Sequence, residues 1–282
     1  VQIIQVEMIY VNTKEIMNIA LELAGLDRAP EDTGISVPGQ NITKILMGVD
    51  METPELLLAR EIGANCVISH HPKAGMQILD FHKVMDRQID TMVAFGVPIN
   101  KAQKALEKRK GVVDLNNHVR NYGRFETAAK LLGMPYMNIH MPADIIGEKI
   151  VQGHLDKHFL DKPKVTLGQV IESLNDLPEY GRSKSKAVIR VGKETAYAGR
   201  IAVLMAGGTN GGADVFKAYF EAGVGTIVCM HVPDDVREAA IAQNIGNIIV
   251  AGHMSSDSIG LNRIADAIEA RGVEVVRGFG IE

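Results

Sequence analysis

The chain has 282 residues, 46% hydrophobic and 23% charged, with a formal net charge of −4; this is a globular mix of about two domain equivalents, not a disordered or fibrous one. Aromatics are only 5%, Trp is absent and the pI is about 6.2, so neither stacking rings nor a global basic field is available for nucleic acid. Two cysteines in apolar runs, Cys66 and Cys229, exclude a disulfide scaffold or a cysteine-rich zinc module. No stretch approaches the ~18 apolar residues of a membrane span and no signal pattern opens the sequence, so a cytoplasmic protein is expected.

In chain order, the apolar spacing of Ile16, Ile19, Ala20 and Leu23 predicts a helix over 12–25. Residues 27–41, punctuated by Gly and Pro, read as a long loop. ITKILMGVD (42–50) reads as a strand, Thr53-Pro54-Glu55 as a helix start, and CVIS (66–69) as a strand running into His70-His71-Pro72. A helix over 77–94 and a short strand over 97–100 follow, and the lysine-rich 101–110 reads as a solvated helix or turn. Residues 134–195 carry several prolines and little alternation before KAVIRVG (186–192), and read as an insertion or small second domain.

The C-terminal part is the most regular. RIAVLM (200–205) is a strand, AGGTNGGAD (206–214) a glycine-rich connection, and Phe216, Tyr219 and Phe220 mark a helical face. TIVCM (226–230) and NIIVAG (247–252) are buried strands. Between them Pro233-Asp234-Asp235 opens a helix; after them Ser255-Ser256-Asp257 caps another with Leu261, Ile264, Ala265 and Ile268 as its stripe. VEVV (273–276) closes the series. Alternating strands and helices with short connections predict an α/β protein with a mostly parallel sheet flanked by helices. The expected organisation is an α/β unit built from 1–133 and 196–282, interrupted by 134–195.

Ligands of such sheets collect at the carboxyl ends of the strands. Here CVIS is followed by His70 and His71, TIVCM by His231 and IIVAG by His253, so four of the nine histidines reach one predicted edge. His253 and Asp257 are four residues apart at a helix start and can point at one spot. Neutral imidazole with carboxylate suits zinc, manganese, iron or nickel. His231 is at the right edge but serves equally well as a contact to substrate or as an orienting group. His82, His140, His154 and His158 lack such placement and read as surface or structural. The glycine-rich 206–214 could cradle a phosphate, or simply permit tight turning; it has neither P-loop lysine nor dinucleotide spacing.

With these residues in view, the chain resembles the Nif-three-like family of dinuclear-metal proteins, homologues of GTP cyclohydrolase I type 2. VISHHP (67–72), AGGTNGGAD (206–214), AGHMSSD (251–257) and GVPIN (96–100) with AAKLLGMP (128–135) carry the resemblance. It implies N- and C-terminal segments meeting around a metal site with a smaller middle insert, two divalent ions per chain, and a toroidal homohexamer. It also implies His70, His71, His253 and Asp257 as ligands, Asp257 standing where the family usually has Glu. The family's middle ligand is the Asp of a His-Thr-Asn-Leu-Asp run. Counting back from Leu131 puts His118 at that place and Asp114 at the family's His, with Asp114 as an alternative orienting group.

The function expected is a metal-dependent hydrolase in which a dinuclear centre activates water, acting on a nucleotide as in GTP cyclohydrolase chemistry or on a phosphoester, with His231 or Asp114 relaying a proton. The alternative is a metal-binding oligomeric scaffold or regulator with little catalysis, which loss of the middle aspartate would favour. A nucleotide enzyme using AGGTNGG without metal stands third.

Overall fold

The computed structural model describes residues 11–282; the first ten residues of the expected N-terminal segment lie outside it. Helix α1 (Thr13–Ala24) opens on a capping box in which Asn12 and Glu15 each accept the other's backbone N–H, and closes on Gly25 at φ 74°. There follow β1 (Gly34–Val37), β2 (Lys44–Gly48), α2 (Thr53–Glu61), β3 (Cys66–Ser69) and α3 (Gly75–Leu79). After a 3-10 turn at Phe81–Asp86 come α4 (Arg87–Ala94), α5 (Ile99–His118), α6 (Arg124–Leu132) and β4 (Tyr136–Asn138). The chain continues through α7 (Met141–Phe159), α8 (Leu167–Leu174), α9 (Pro178–Arg182), β5 (Val188–Val191) and β6 (Arg200–Leu204). It ends with α10 (Ala213–Glu221), β7 (Val224–Cys229), α11 (Asp234–Gln243), β8 (Asn247–Val250), α12 (His253–Glu269) and β9 (Glu274–Gly278).

These strands form two mostly parallel sheets. The first has the order β1-β4-β3-β2-β9, with only β1 antiparallel to its neighbour; the second is β5-β8-β7-β6, with only β5 antiparallel. The α/β class expected from the alternation is therefore what the chain adopts. After completing the second sheet the chain returns through α12 and adds β9 beside β2, so the C-terminal segment belongs to the N-terminal sheet.

Helices α7 and α12 pack against each other along a shared face. A Cβ on Gly260 of α12 would lie 2.0 Å from the Ala143 carbonyl oxygen, so the two backbones touch at a point only glycine allows. Around the pair the core is aliphatic: Ile145, Ile146, Ile259, Leu261, Ile264 and Ile268 are all buried. Among the described residues no helix is long and apolar enough to cross a membrane, and Cys66 and Cys229 are buried free thiols.

Several elements differ from expectation for identifiable reasons. Residues 27–41 contain β1, a short edge strand paired antiparallel to β4. VPIN is the start of α5, which continues through the lysine-rich run; Ile99 is an exposed position of its first turn. The expected helix over 77–94 is divided into α3, the 3-10 turn and α4. Residues 134–195 are shared out rather than set apart: β4 joins the first sheet, α7 packs on α12, and β5 edges the second sheet. Pro142 and Pro178 stand in the first turns of α7 and α9, where proline is tolerated, so they mark helix starts.

Candidate metal centre

Three strand exits converge. Beyond β3 the pairing continues: the His70 N–H donates to Gly48 O and the His71 N–H to Val49 O, which keeps both residues extended past the strand end. His70 is fully buried, and its Nδ1–H donates to the Ile139 carbonyl at 3.0 Å. His71 is partly exposed and donates from Nδ1 to Asp50, just beyond β2, at 3.0 Å. Beyond β4, His140 donates from Nδ1 to the buried Asp32 carboxylate at 2.6 Å. Asp144 follows His140 by four residues, in the first turn of α7. Beyond β8, Gly252 (φ 110°) turns the chain into α12, whose first residue is His253 and whose fifth is Asp257.

With Nδ1 occupied on three of these rings, Nε2 is left to face inward. His70 Nε2 lies 3.2 Å from Asp144 Oδ1 and 3.7 Å from Asp257 Oδ1. His71 Nε2 is 3.7 Å and His253 Nε2 3.5 Å from Asp257 Oδ2, and His140 Nε2 is 3.8 Å from Asp144 Oδ2. Most of these separations exceed hydrogen-bond length. Asp144 Oδ1 and both oxygens of Asp257 are buried and accept no hydrogen bond. Unsatisfied buried carboxylate oxygens are costly and rare. The ligand atoms of His70, His71 and His140, of His71, His253 and Asp257, and of His70, Asp144 and Asp257 each lie within 4.8 Å of one another. The buried His and Asp groups could thus hold a metal ion, and their donor chemistry fits a borderline divalent cation.

The electrostatics agree. Burial lowers His70 and His71 to about 4 and His253 to about 3, so these rings are neutral and offer lone pairs near pH 7. His140 differs: burial opposes its charge, but Asp144 and Asp32 outweigh burial and raise it to about 9. Burial raises both Asp144 and Asp257 above the usual carboxylate range.

The cluster opens into a cavity of about 440 Å³. His231, beyond β7, lines the cavity with its ring centre 4.9 Å from that of His253; burial, then the charge of Arg109, lowers its pKa. The glycine-rich connection after β6 lines another part of the wall, held by Gln88 Nε2, which donates to Gly207 O and Thr209 O at 2.7 Å each.

A crystal structure of a NIF3 superfamily protein from Sphaerobacter thermophilus is similar to this chain at 36% identity and a TM-score of 0.90, covering 96% of this chain and 98% of that one. The chain belongs to the NIF3 superfamily. Reduced HcgD from Methanocaldococcus jannaschii (14% identity, TM-score 0.59) and a protein from Thermus thermophilus (16%, 0.56) share the fold over 96% and 95% of this chain, and over 99% and 97% of their own. No family profile matches the sequence, and no curated protein does.

Of the residues expected in this NIF3 site, the structure brings His70, His71, His253 and Asp257 together, with His231 beside them. His118 and Asp114 stay outside. His118 is the exposed last residue of α5, and the half-exposed Asp114 faces His82 Nδ1 at 3.4 Å; neither lines the cavity. The reason is the length of α5: Val113 and Asn117 carry its buried face there, turning 114 and 118 away from it. The structure sets His140 and Asp144 beside the cluster instead, two residues that sequence reasoning missed. The signal was present. His140-Met141-Pro142-Ala143-Asp144 has the spacing of the His-Thr-Asn-Leu-Asp run, follows a short strand, and repeats the spacing of His253 and Asp257. Asp32 and Asp50, which orient two of the rings, come from loops with no comparable pattern.

Proposed function

We propose that this NIF3 protein is a metal-dependent hydrolase whose six inward-facing donors, His70, His71, His140, Asp144, His253 and Asp257, hold two divalent ions. The observation carrying this reading is the set of buried, unpartnered oxygens on Asp144 and Asp257 beside the neutral imidazoles of His70, His71 and His253 at the floor of an open cavity. A site built only to brace the fold would be closed over by protein ligands, whereas the side chains of His71 and His253 are 22% and 39% exposed. The chemistry such ions supply when bound is a water of lowered pKa and a clamp for a developing oxyanion. The chain's own contributions follow from its hydrogen bonds. Asp32, the Ile139 carbonyl and Asp50 fix the tautomers of His140, His70 and His71, and so aim their Nε2 atoms. His231, kept neutral by its surroundings, can accept a proton at a ring nitrogen on the cavity wall. The substrate class is a nucleotide, as in GTP cyclohydrolase chemistry, or a phosphoester.

The aspartate missing from the expected ligand set was the argument for a non-catalytic scaffold, and Asp144 supplies one. The test is elemental analysis after reloading with zinc, manganese, iron or nickel, with hydrolysis of nucleotides and phosphoesters assayed in parallel. Two ions per chain and turnover are expected, both lost in the His70→Ala, His253→Ala double variant. Full metal content in that variant would overturn the ligand assignment, and full loading without turnover on either class would overturn the hydrolase reading.

A further inference from the structure

The cavity has a second polar region that the metal cluster does not use. Arg109, on α5, packs along the glycine-rich connection: a Cβ on Gly212, at φ 86°, would meet its Cβ at 3.4 Å and its Cγ at 3.7 Å. Among the described residues Arg109 has no carboxylate partner within ion-pair distance, and its Nε is buried without a hydrogen bond. Asn117, two turns further along α5, is 8% exposed, lines the same cavity, and its side chain makes no hydrogen bond. Its amide opens onto the cavity with its donors and acceptor free for a ligand.

The backbone facing these side chains is also unspent. The connection leads into α10, a nine-residue helix, and Gly208, Asn210 and Gly211 line the cavity while their N–H groups donate to no described acceptor. Free backbone N–H groups in a turn that leads into a helix carry partial positive charge, and an arginine fork beside them matches the oxygens of a phosphate. Asp214, the acid in the first turn of α10, does not spoil this: it lines a separate surface depression with Lys101 and Lys217.

We propose that Arg109, Asn117 and the turn over 208–211 form an oxyanion subsite that binds a phosphate group of the substrate within the metal-site cavity. The assignment rests on the hydrolase reading only in calling the ligand a substrate. It places the phosphate in the same cavity as His231, which lines the wall together with Arg109. The substrate so selected is a phosphorylated small molecule small enough for about 440 Å³.

The test is titration of the metal-loaded full chain with inorganic phosphate, followed by calorimetry, for wild type, Arg109→Gln, Asn117→Ala and Arg120→Gln. Arg120 is an exposed arginine that also lines the cavity, so its variant removes the same charge without the subsite. Arg109→Gln is expected to weaken phosphate about tenfold or more and Asn117→Ala less, with metal content and melting temperature held and Arg120→Gln near wild type. Arg109→Lys should restore part of the loss. Absence of phosphate binding in wild type, equal losses in the Arg109 and Arg120 variants, an unchanged Arg109→Gln, or acetate bound as tightly as phosphate would each overturn the subsite. Phosphate binding lost in Arg109→Gln without turnover in wild type would sink the hydrolase reading alone. Turnover indifferent to Arg109→Gln would sink the subsite alone.

Discussion

Asp257 concentrates the conflict on which the site is built. Its carboxylate is buried, faces three imidazole Nε2 atoms at 3.5–3.7 Å, and accepts no hydrogen bond. Without a cation this arrangement opposes folding, because burial raises the folded-state pKa above its unfolded value. A group shifted in that direction binds its proton more tightly in the folded chain, so its contribution is most favourable at low pH and is lost as pH rises through the folded pKa. Asp257→Asn removes the charge at nearly constant shape. The metal-free variant is therefore expected to be more stable than metal-free wild type by about 1–3 kcal/mol at pH 8, with the gap closing toward pH 4. Subtracting wild type cancels the opposing influence of His71 and His253, which contribute stability lost as pH falls below their unfolded value, whereas His70 and His140 lose the attraction of the Asp257 charge and reduce the gap. Urea unfolding of both chains under chelator at the two pH values checks this. A variant less stable at pH 8 would mean that Asp257 is satisfied by a partner already in place.

Secondary elements with strong apolar periodicity were legible in the sequence: α1, β3, β7, β8 and α12 fall where the spacing of Ile, Val and Leu puts them. What escaped was decided by long-range pairing. β1 and β4 are only four and three residues long and exist because their hydrogen bonds are completed across the sheet, β1's by β4 and β4's by β1 and β3. The parallel pairing of β4 with β3 places His140 beside His70, with ring centres 4.6 Å apart, and no local pattern could show that. The late Gly-His and the double histidine were readable because each follows an unmistakable strand. The contact of α7 with α12 is the element-scale counterpart of the cluster, since Asp144 adjoins Ala143, and Asp257 lies three residues before Gly260. Gly260→Val would drive a branched side chain into the Ala143 carbonyl and separate the two carboxylates. It is expected to cost about 1–3 kcal/mol or more by overpacking, and to weaken zinc binding although no ligand is changed. Denaturant midpoints with zinc stoichiometry test it, and a stable variant with wild-type metal content would show that the helices can part without cost to the site.

At the scale of the whole molecule the six donors are drawn from both sheets. His70, His71, His140 and Asp144 follow strands of the first sheet, while His253 and Asp257 follow β8 of the second and sit on the helix that returns the chain to β9. An ion shared by His71, His253 and Asp257 would therefore tie the sheets together, and its binding energy would be expressed as resistance to opening between them. At a free zinc concentration a hundredfold above the dissociation constant the folded state gains about 2.7 kcal/mol. Amide hydrogen exchange should locate that gain. Residues 69–72, 139–145 and 252–258 are expected to slow together when zinc is added, and not in the His70→Ala, His253→Ala variant. Protection confined to 252–258 would mean that the second sheet's donors bind alone and that the cluster is two separate sites; protection in all three segments requires that the strand exits, far apart in sequence, share their ions.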